Sequence, residues 1–189
     1  MVNKIPLELE NPIDVILYNQ VDRDLEFYKN LGLTPNILTT ISLVLGLSGI
    51  YYLYYDDYFL GGLLFFIGYY FDCADGKMAR KYKMFSPYGD LYDHASDFIK
   101  VFALFYVMYK KSPTKAIKVI IVAAVLLFFY MLFTNCQEKI YGKVSESDYL
   151  DLFNINLDNC EEKLSYLKYF GSATPITFLS LSILLWNKI

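Results

Sequence analysis

Residues 72–97 read DCADGKMARKYKMFSPYGDLYDHASD, and this stretch places acidic residues at helical spacings. Asp72 and Asp75 are three residues apart, while Asp93 and Asp97 are four apart, so each pair lies on one face of a helix. A Ser-Pro dipeptide between the two pairs is typical of a new helix start. We therefore expect two antiparallel helices whose four carboxylates converge at one end.

The segments around this stretch are strongly apolar. The chain has 189 residues, of which 56% are hydrophobic and 20% are charged, and its net charge is −3. This composition favours a membrane protein over a soluble domain, and without a basic excess nucleic acid is excluded as a default partner. Five apolar segments predict transmembrane helices, the last of them short for a bilayer: residues 37–55, 58–71, 87–109, 116–135 and 175–186.

Helix starts are marked by proline. Five of the six prolines directly follow a residue that can cap a helix N-terminus. These capping residues are Asn11, Thr34, Ser86, Ser112 and Thr174.

The first helix, over residues 12–31, has a different pattern from the others. Its apolar side chains fall on one face, and its charged side chains, including Asp14 and Asp22, lie elsewhere. The apolar face consists of Ile13, Ile16, Leu17, Val21, Leu25 and Tyr28. This pattern predicts an amphipathic helix that lies in the membrane interface.

We predict an all-α membrane protein with one domain, in which the N-terminal interfacial helix precedes about five transmembrane helices. Its parts are the interfacial helix (1–33), a four-helix core that carries the acidic stretch (34–135), a cytosolic connection (136–172) that can hold a short surface helix, and a short C-terminal span (173–189). Most lysines and arginines outside the spans fall on the side of the N-terminus and the acidic stretch, which predicts that this side faces the cytosol. In a eukaryotic or viral source we expect a membrane of the endoplasmic-reticulum type or another internal membrane.

The cysteine and histidine content limits the chemistry. Cys73, Cys136 and Cys160 have no CxxC spacing and imply neither a disulfide framework nor a zinc site, so we interpret all three as free thiols. His94 is the only histidine, which excludes a site that needs two imidazoles.

Four carboxylates close together need a cation, because ionised side chains at membrane depth are unfavourable by about 2.5 to 3.5 kcal/mol each. Mg²⁺ and related hard ions prefer such oxygen ligands. Two divalent ions balance four negative charges and form a clamp for displacement at phosphorus. Gly76 leaves room for a phosphate, Arg80 can pair with it in bidentate fashion, and Gly89 allows the helices to approach closely.

The complete pattern, Asp72-x2-Asp75-Gly76-x2-Ala79-Arg80-x8-Gly89-x3-Asp93-x3-Asp97, resembles the signature of the CDP-alcohol phosphotransferases. The resemblance implies a phospholipid-biosynthetic membrane enzyme with a CDP-linked donor. Such an enzyme cleaves the donor's diphosphate, releases CMP and joins the remaining phosphoryl group to an alcohol, which is a lipid or a small molecule.

The resemblance also implies roles for the matching residues. The metal ligands are Asp72, Asp75, Asp93 and Asp97, which hold two divalent ions, Mg²⁺ or Mn²⁺. Asp97 is also the general base for the acceptor hydroxyl. The residues that contact CDP are Asp72, Gly76, Ala79 and Arg80. Gly89 permits close helix packing at the site.

The finer pattern, DGKxAR followed by SPxGxLxDHxxD, is similar to the choline and ethanolamine phosphotransferase branch. In that branch His94, next to Asp93, is a candidate assistant in proton transfer. The alternative is a structural histidine that is hydrogen-bonded to Asp90 or to a carbonyl. Phosphatidyl-transferring members such as phosphatidylinositol synthases share the core signature, so CDP-choline, CDP-ethanolamine and CDP-diacylglycerol all stay open as donors.

The chain departs from this family in the number of its spans. Family members have at least six transmembrane helices, and those after the fourth line the lipid side of the site and form the dimer contact. The resemblance thus implies a homodimer and contacts with membrane lipids. Two other functions stay open: a catalytically inactive structural homologue, and a membrane transporter that passes a cation or a proton by way of intramembrane aspartates.

Overall fold

A computed structural model describes residues 5–142 and 159–189 of the chain. These residues form seven α-helices and two short 3-10 helices, with no strand in the described ranges. The α-helices are α1 (Pro12–Asn30), α2 (Pro35–Tyr54), α3 (Tyr58–Tyr82), α4 (Pro87–Lys111), α5 (Pro113–Tyr141), α6 (Cys160–Leu167) and α7 (Ala173–Leu184). The prediction of an all-helical protein is confirmed.

Most helix starts agree with the predicted caps. The side chain of Asn11 accepts a hydrogen bond from the Ile13 amide at 2.9 Å, and Ser86 does the same for Gly89 at 2.9 Å. Ser112 precedes α5, but its side chain makes no capping hydrogen bond. The cap predicted at Thr174 is wrong, because α7 begins at Ala173 and Thr174 lies inside it. Its hydroxyl group instead donates to the carbonyl of Tyr169.

Helix α3 is longer than the predicted apolar segment. It continues without a break through Asp72 and ends at Tyr82, so one rigid helix carries the first half of the acidic stretch. An apolar run ends at the first charged residue, but the helical backbone needs a glycine, a proline or a cap to end it. Here the cap is Lys83, the residue after Tyr82, which has a left-handed backbone conformation with a φ of +55°.

Helix α2 lies at the centre of the site-forming half of the bundle, since both α3 and α4 pack against it. Glycines allow the α2 and α3 backbones to come close together. A Cβ atom added at Gly49 would lie only 2.6 Å from the carbonyl oxygen of Gly61, and one at Gly68 would lie 3.0 Å from that of Ser42. As a result, polar side chains on α2 reach the acidic residues of α3 and α4.

Helix α1 packs much of its predicted apolar face on protein. Val21 and Leu25 are fully buried in a cluster with residues of α3, whereas Ile16 is 69% exposed. The prediction that Asp14 lies away from the buried face is wrong, because its side chain is 1% exposed. The carboxylate accepts hydrogen bonds from Tyr69 at 2.5 Å and from Ser172 at 3.1 Å, which satisfy it without water. Burial raises the pKa of Asp14 above its usual range.

The cysteines are not all free. Cys136 near the end of α5 and Cys160 at the start of α6 form a disulfide, so the prediction of three free thiols was wrong for this pair. Cys73 is free and buried. The two partners are 24 residues apart in sequence, and no local spacing reveals their contact.

The predicted cytosolic connection, residues 136–172, is described only in part. Its beginning belongs to α5, and α6 is the short surface helix that the sequence allowed. Residues 143–158 lie outside the described part of the chain.

Two of the described helices, α2 with 20 residues and α5 with 29, are long and apolar enough to cross a membrane. The prediction of five spans is not established by this criterion. Helix α7 has 12 residues, which correspond to about 18 Å of helix.

Candidate active site

Three of the four predicted carboxylates meet where α3 and α4 face each other beside α2. Asp72 on α3 and Asp93 and Asp97 on α4 each offer a carboxylate oxygen, and these oxygens all lie within 4.8 Å of one another. Asp97 is the most exposed of the three, with half of its side chain accessible. Helical spacing explains the meeting, because Asp93 and Asp97 lie one turn apart on the same face.

Asp75 is not a member of this group of three. It is 4% exposed, and its Oδ2 atom accepts a hydrogen bond of 2.5 Å from the hydroxyl group of Thr39 on α2. Thr39 is not among the site residues predicted from the sequence. The available signal was the polar and small residues Thr39, Ser42, Gly46 and Gly49, which recur on one face of an otherwise apolar helix.

Lys100 on α4 lies directly among the carboxylates, and the sequence analysis missed it. Its Nζ atom is 3.0 Å from Oδ1 of Asp72 and 2.8 Å from Oδ1 of Asp97, and it donates to the hydroxyl of Ser42 at 2.9 Å. An ammonium group has three donors, so all three are satisfied here. The signal was its spacing of three residues from Asp97 and seven from Asp93, which puts it on the acidic face of α4.

Helix α2 provides space for the stem of this lysine. A Cβ atom added at Gly46 would lie 2.8 Å from Cδ of Lys100, so the aliphatic chain passes directly over the glycine. One turn earlier, Ser42 accepts from the lysine and also donates to Asp72 at 3.3 Å. Lys100 is consequently 8% exposed although it carries a charge.

Two buried polar atoms at the site have no hydrogen-bond partner among the described residues. They are Nε of Arg80, a donor, and Oδ1 of Asp93, an acceptor. Buried polar atoms are almost always paired, so the donor fits an anionic ligand and the acceptor fits a cation. The clustered carboxylates offer oxygen ligands only, which is the donor set of a hard divalent ion.

The other predicted ligand contacts surround Arg80. Its guanidinium group lies over Gly76, because a Cβ atom added there would be 3.2 Å from Nη1. Ala79 is half-buried next to it. On the facing side, a Cβ atom at Gly89 would be 2.9 Å from the side-chain oxygen of Asn36, so the start of α4 closely approaches the start of α2.

His94 lies outside the group of three carboxylates. Its side chain is 45% exposed, and Nδ1 is 2.9 Å from the carbonyl oxygen of Asp90. Since a carbonyl only accepts, Nδ1 donates this hydrogen bond. This is the hydrogen bond expected of a structural histidine.

Lys77, which lies within the acidic stretch, turns away from the site. Its Nζ atom is 2.6 Å from Oδ2 of Asp22 on α1, and it also donates to the carbonyl of Tyr18 at 3.2 Å. The ion pair attaches α1 to the half of α3 that carries the aspartates. Sequence analysis found the charge pattern of α1 but not this partner.

The sequence is similar to those of known proteins. The sequence profile of the CDP-alcohol phosphatidyltransferase family matches residues 32–186. An archaetidylinositol phosphate synthase of Pyrococcus horikoshii is 29% identical over 97 residues, which are 51% of this chain and 47% of that protein. The match thus spans about half the length of this curated relative, and no solved structure matches the chain significantly. Because the profile covers most of the sequence and all the signature residues, the chain belongs to the CDP-alcohol phosphatidyltransferase family.

Proposed function

We propose that this protein is a divalent-metal-dependent transferase of phospholipid synthesis. It moves a phosphoryl-alcohol or phosphatidyl group from a CDP-linked donor to an alcohol acceptor and releases CMP. The observation that carries the proposal is the cluster of Asp72, Asp93 and Asp97, which stand at signature positions of the family.

The metal ligands in this proposal are Asp72, Asp75, Asp93 and Asp97, with two ions, Mg²⁺ or Mn²⁺, in the complex with donor. When bound, such ions neutralise the diphosphate and stabilise the attacking and leaving oxygens of an in-line displacement. Support for the ion site comes from the oxygen-only donor set and from the unpartnered Oδ1 atom of Asp93. In this proposal Asp75 binds a metal ion and also accepts the hydrogen bond from Thr39. A carboxylate has enough lone pairs for both.

The CDP-binding residues are Asp72, Gly76, Ala79 and Arg80. Arg80 binds an oxygen of the diphosphate through its guanidinium group, and the unpartnered Nε atom supports this assignment. Gly76 leaves room for the guanidinium group of Arg80, which lies over it, and we assign it a contact with the nucleotide beside that group. Gly89 keeps the start of α4 close to α2, so the two halves of the signature stay together.

Asp97 is the proposed general base. It takes the proton of the acceptor hydroxyl, and the hydroxyl oxygen then forms a bond to the phosphorus that is being transferred. The bond between this phosphorus and the oxygen of the CMP phosphate breaks, and CMP leaves with the electron pair. The exposure of Asp97 supports this role, because an acceptor can reach it more easily than the buried aspartates. His94 receives no step in this scheme.

For the whole chain we propose a multi-pass arrangement. Helices α2, α3, α4, α5 and α7 span the membrane, α1 lies at its surface, residues 34–135 form the catalytic core, and the site faces the cytosol. Exposed apolar side chains support contact with lipid on α4 and α5, and those of α1 support an interfacial position. They are Phe98, Phe102, Val125, Phe128, Ile16 and Phe27. A homodimer would supply the lipid-side surface that a short α7 leaves incomplete.

The experiment is a donor panel with purified protein in detergent and Mg²⁺ or Mn²⁺. The donors are CDP-choline, CDP-ethanolamine and CDP-diacylglycerol, and the acceptors include diacylglycerol and inositol phosphate, the latter because of the name of the Pyrococcus relative. We expect acceptor-dependent release of CMP with one donor, and no release after addition of a chelator. Absence of CMP with every pair would overturn the proposal.

A further inference from the structure

The ammonium group of Lys100 lies inside the proposed metal site. Its ammonium group contacts one oxygen of Asp72 and one of Asp97, which are two of the three clustered carboxylates. A divalent ion on either of these oxygens would lie at most about 5 Å from Nζ, given a metal–oxygen distance of about 2.1 Å. At that distance two cations repel strongly unless further negative charge lies between them.

The charge balance of the site changes when Lys100 is included. The three clustered carboxylates bear three negative charges, and Lys100 cancels one of them. The remainder matches a single divalent ion. Two ions and Lys100 together would exceed even the charge of all four aspartates, until the negative diphosphate of a donor arrives.

The contacts of Lys100 hold its side chain in this position. All three ammonium donors have acceptors, and two of these, Ser42 on α2 and Asp72 on α3, lie on different helices from the lysine. The stem of the lysine fits over Gly46, where any larger residue would collide with it. A lysine held only by surface electrostatics needs neither feature.

Asp93 lies differently with respect to this lysine. No salt bridge to Lys100 is found for its carboxylate, and its Oδ1 atom is buried without a hydrogen-bond partner among the described residues. An ion that binds next to Asp93 therefore meets an oxygen that lacks a partner. The site is therefore asymmetric. The ammonium group of Lys100 lies beside Asp72 and Asp97, whereas Oδ1 of Asp93 has no partner among the described residues.

We propose that Lys100 occupies one of the two cation positions, so that the free protein binds one divalent ion, next to Asp93, and the second binds only together with the diphosphate. This inference rests on the proposed function, since it assumes a metal site that receives a diphosphate. It makes donor binding and binding of the second ion a single coupled event.

The test is the number of Mn²⁺ ions bound per chain, measured by electron paramagnetic resonance of unbound Mn²⁺ with protein in detergent. We expect one ion per wild-type chain alone and two in the presence of CDP. Lys100→Met should bind two ions without CDP, because the built-in charge is gone. Lys100→Arg, which keeps the charge, should bind one.

Lys77→Met is the matched control, since Lys77 is also a buried lysine in an ion pair but does not touch the three carboxylates. It should bind one ion without CDP. If Lys100→Met does not fold, as judged by size-exclusion chromatography, Lys100→Gln, which also removes the charge, takes its place and should bind two ions without CDP.

Two ions on the wild-type protein without CDP would overturn the inference and leave the proposed function intact. One ion on a folded Lys100→Met variant would also overturn it. Absence of Mn²⁺ binding even with CDP would instead contradict the metal-dependent function itself.

Discussion

The hydroxyl group of Thr39 on α2 donates a hydrogen bond of 2.5 Å to the buried carboxylate of Asp75 on α3. This bond fixes the second aspartate of the signature from a helix that carries no signature residue. The close approach of the α2 and α3 backbones makes it possible. The first prediction follows from it.

Thr39→Val should destabilise the protein, because it removes a hydroxyl donor from a buried carboxylate. Hydrogen bonds to charged groups contribute about 1.5–3 kcal/mol, and at this chain length each kcal/mol lowers the thermal midpoint by about 2–4 °C. A thermal melt in detergent measures the shift. The control is Thr40→Val, since Thr40 is exposed and its hydroxyl contacts Tyr92. Equal shifts for both variants would mean that the hydrogen bond to Asp75 stabilises the protein no more than an exposed hydroxyl contact does.

Asp97→Asn should abolish turnover and leave nucleotide binding in place. Loss of a general base lowers kcat by about 10²–10⁴-fold. The measurements are CMP release and Mn²⁺-dependent binding of CDP. Asp90→Asn, on the same helix but outside the group of three, should retain activity. If Asp97→Asn loses CDP binding as much as turnover, Asp97 is mainly a metal ligand.

Arg80→Lys should weaken CDP binding although it keeps the positive charge. Lysine has no equivalent of the buried Nε donor and cannot form a bidentate contact with phosphate. A loss of about 1.5–3 kcal/mol corresponds to a Kd for CDP that is raised roughly 10- to 100-fold. Isothermal titration measures it. Lys81→Gln removes a neighbouring exposed charge and should change Kd little; an unchanged Kd in Arg80→Lys would remove Arg80 from the diphosphate site.

The ion pair between Lys77 and Asp22 should hold α1 on the bundle. Lys77→Met leaves a carboxylate without its partner, so we expect a lower thermal midpoint and faster proteolysis within α1. In the double variant with Asp22→Leu much of the loss should be recovered, with a coupling energy of about 0.5–3 kcal/mol. The ion pair of Lys111 and Asp56 serves as the control. Exposed ion pairs contribute about 0–1 kcal/mol to stability. A coupling no larger than that of the control would contradict this role.

His94→Gln should retain most of the activity. Its Nδ1 atom is engaged with the Asp90 carbonyl, and the ring lies outside the carboxylate group. We expect kcat to fall by less than about tenfold, below the range of a general acid or base. A fall of about 10²-fold or more, with loss of one limb of the pH–rate profile, would give His94 a proton-transfer role.

The sequence predicts well what depends on local spacing. Asp93 and Asp97 share a helix face because they are one turn apart. Asn11 and Ser86 cap helices because the nearby amides of Ile13 and Gly89 donate to their side-chain oxygens. Three of the four carboxylates predicted to converge meet, and Asp75 is not among them. The shared helix face and the caps require no knowledge of a distant residue.

Several of the features that were missed depend on partners far along the chain. Lys100 looks like a single charge in an apolar span until Gly46 and Ser42 of α2 are seen beside it. Asp14 looks like a surface residue of an amphipathic helix until Tyr69 and Ser172 surround it. Periodicity describes one helix at a time, and these side chains are placed by three helices together.

The disulfide between Cys136 and Cys160 has a consequence for the side of the membrane on which the site lies. Helix α5 returns from the far end of α4, so Cys136, close to the end of α5, lies at the same end of the bundle as the aspartates. Thiols in the cytosol are mostly kept reduced, whereas secretory and extracellular spaces preserve such bonds. The proposed cytosolic orientation requires this pair to be reduced in intact cells, and an oxidised pair would place the site on the opposite side of the membrane. A thiol-alkylation mobility shift distinguishes the two without any tag on the chain.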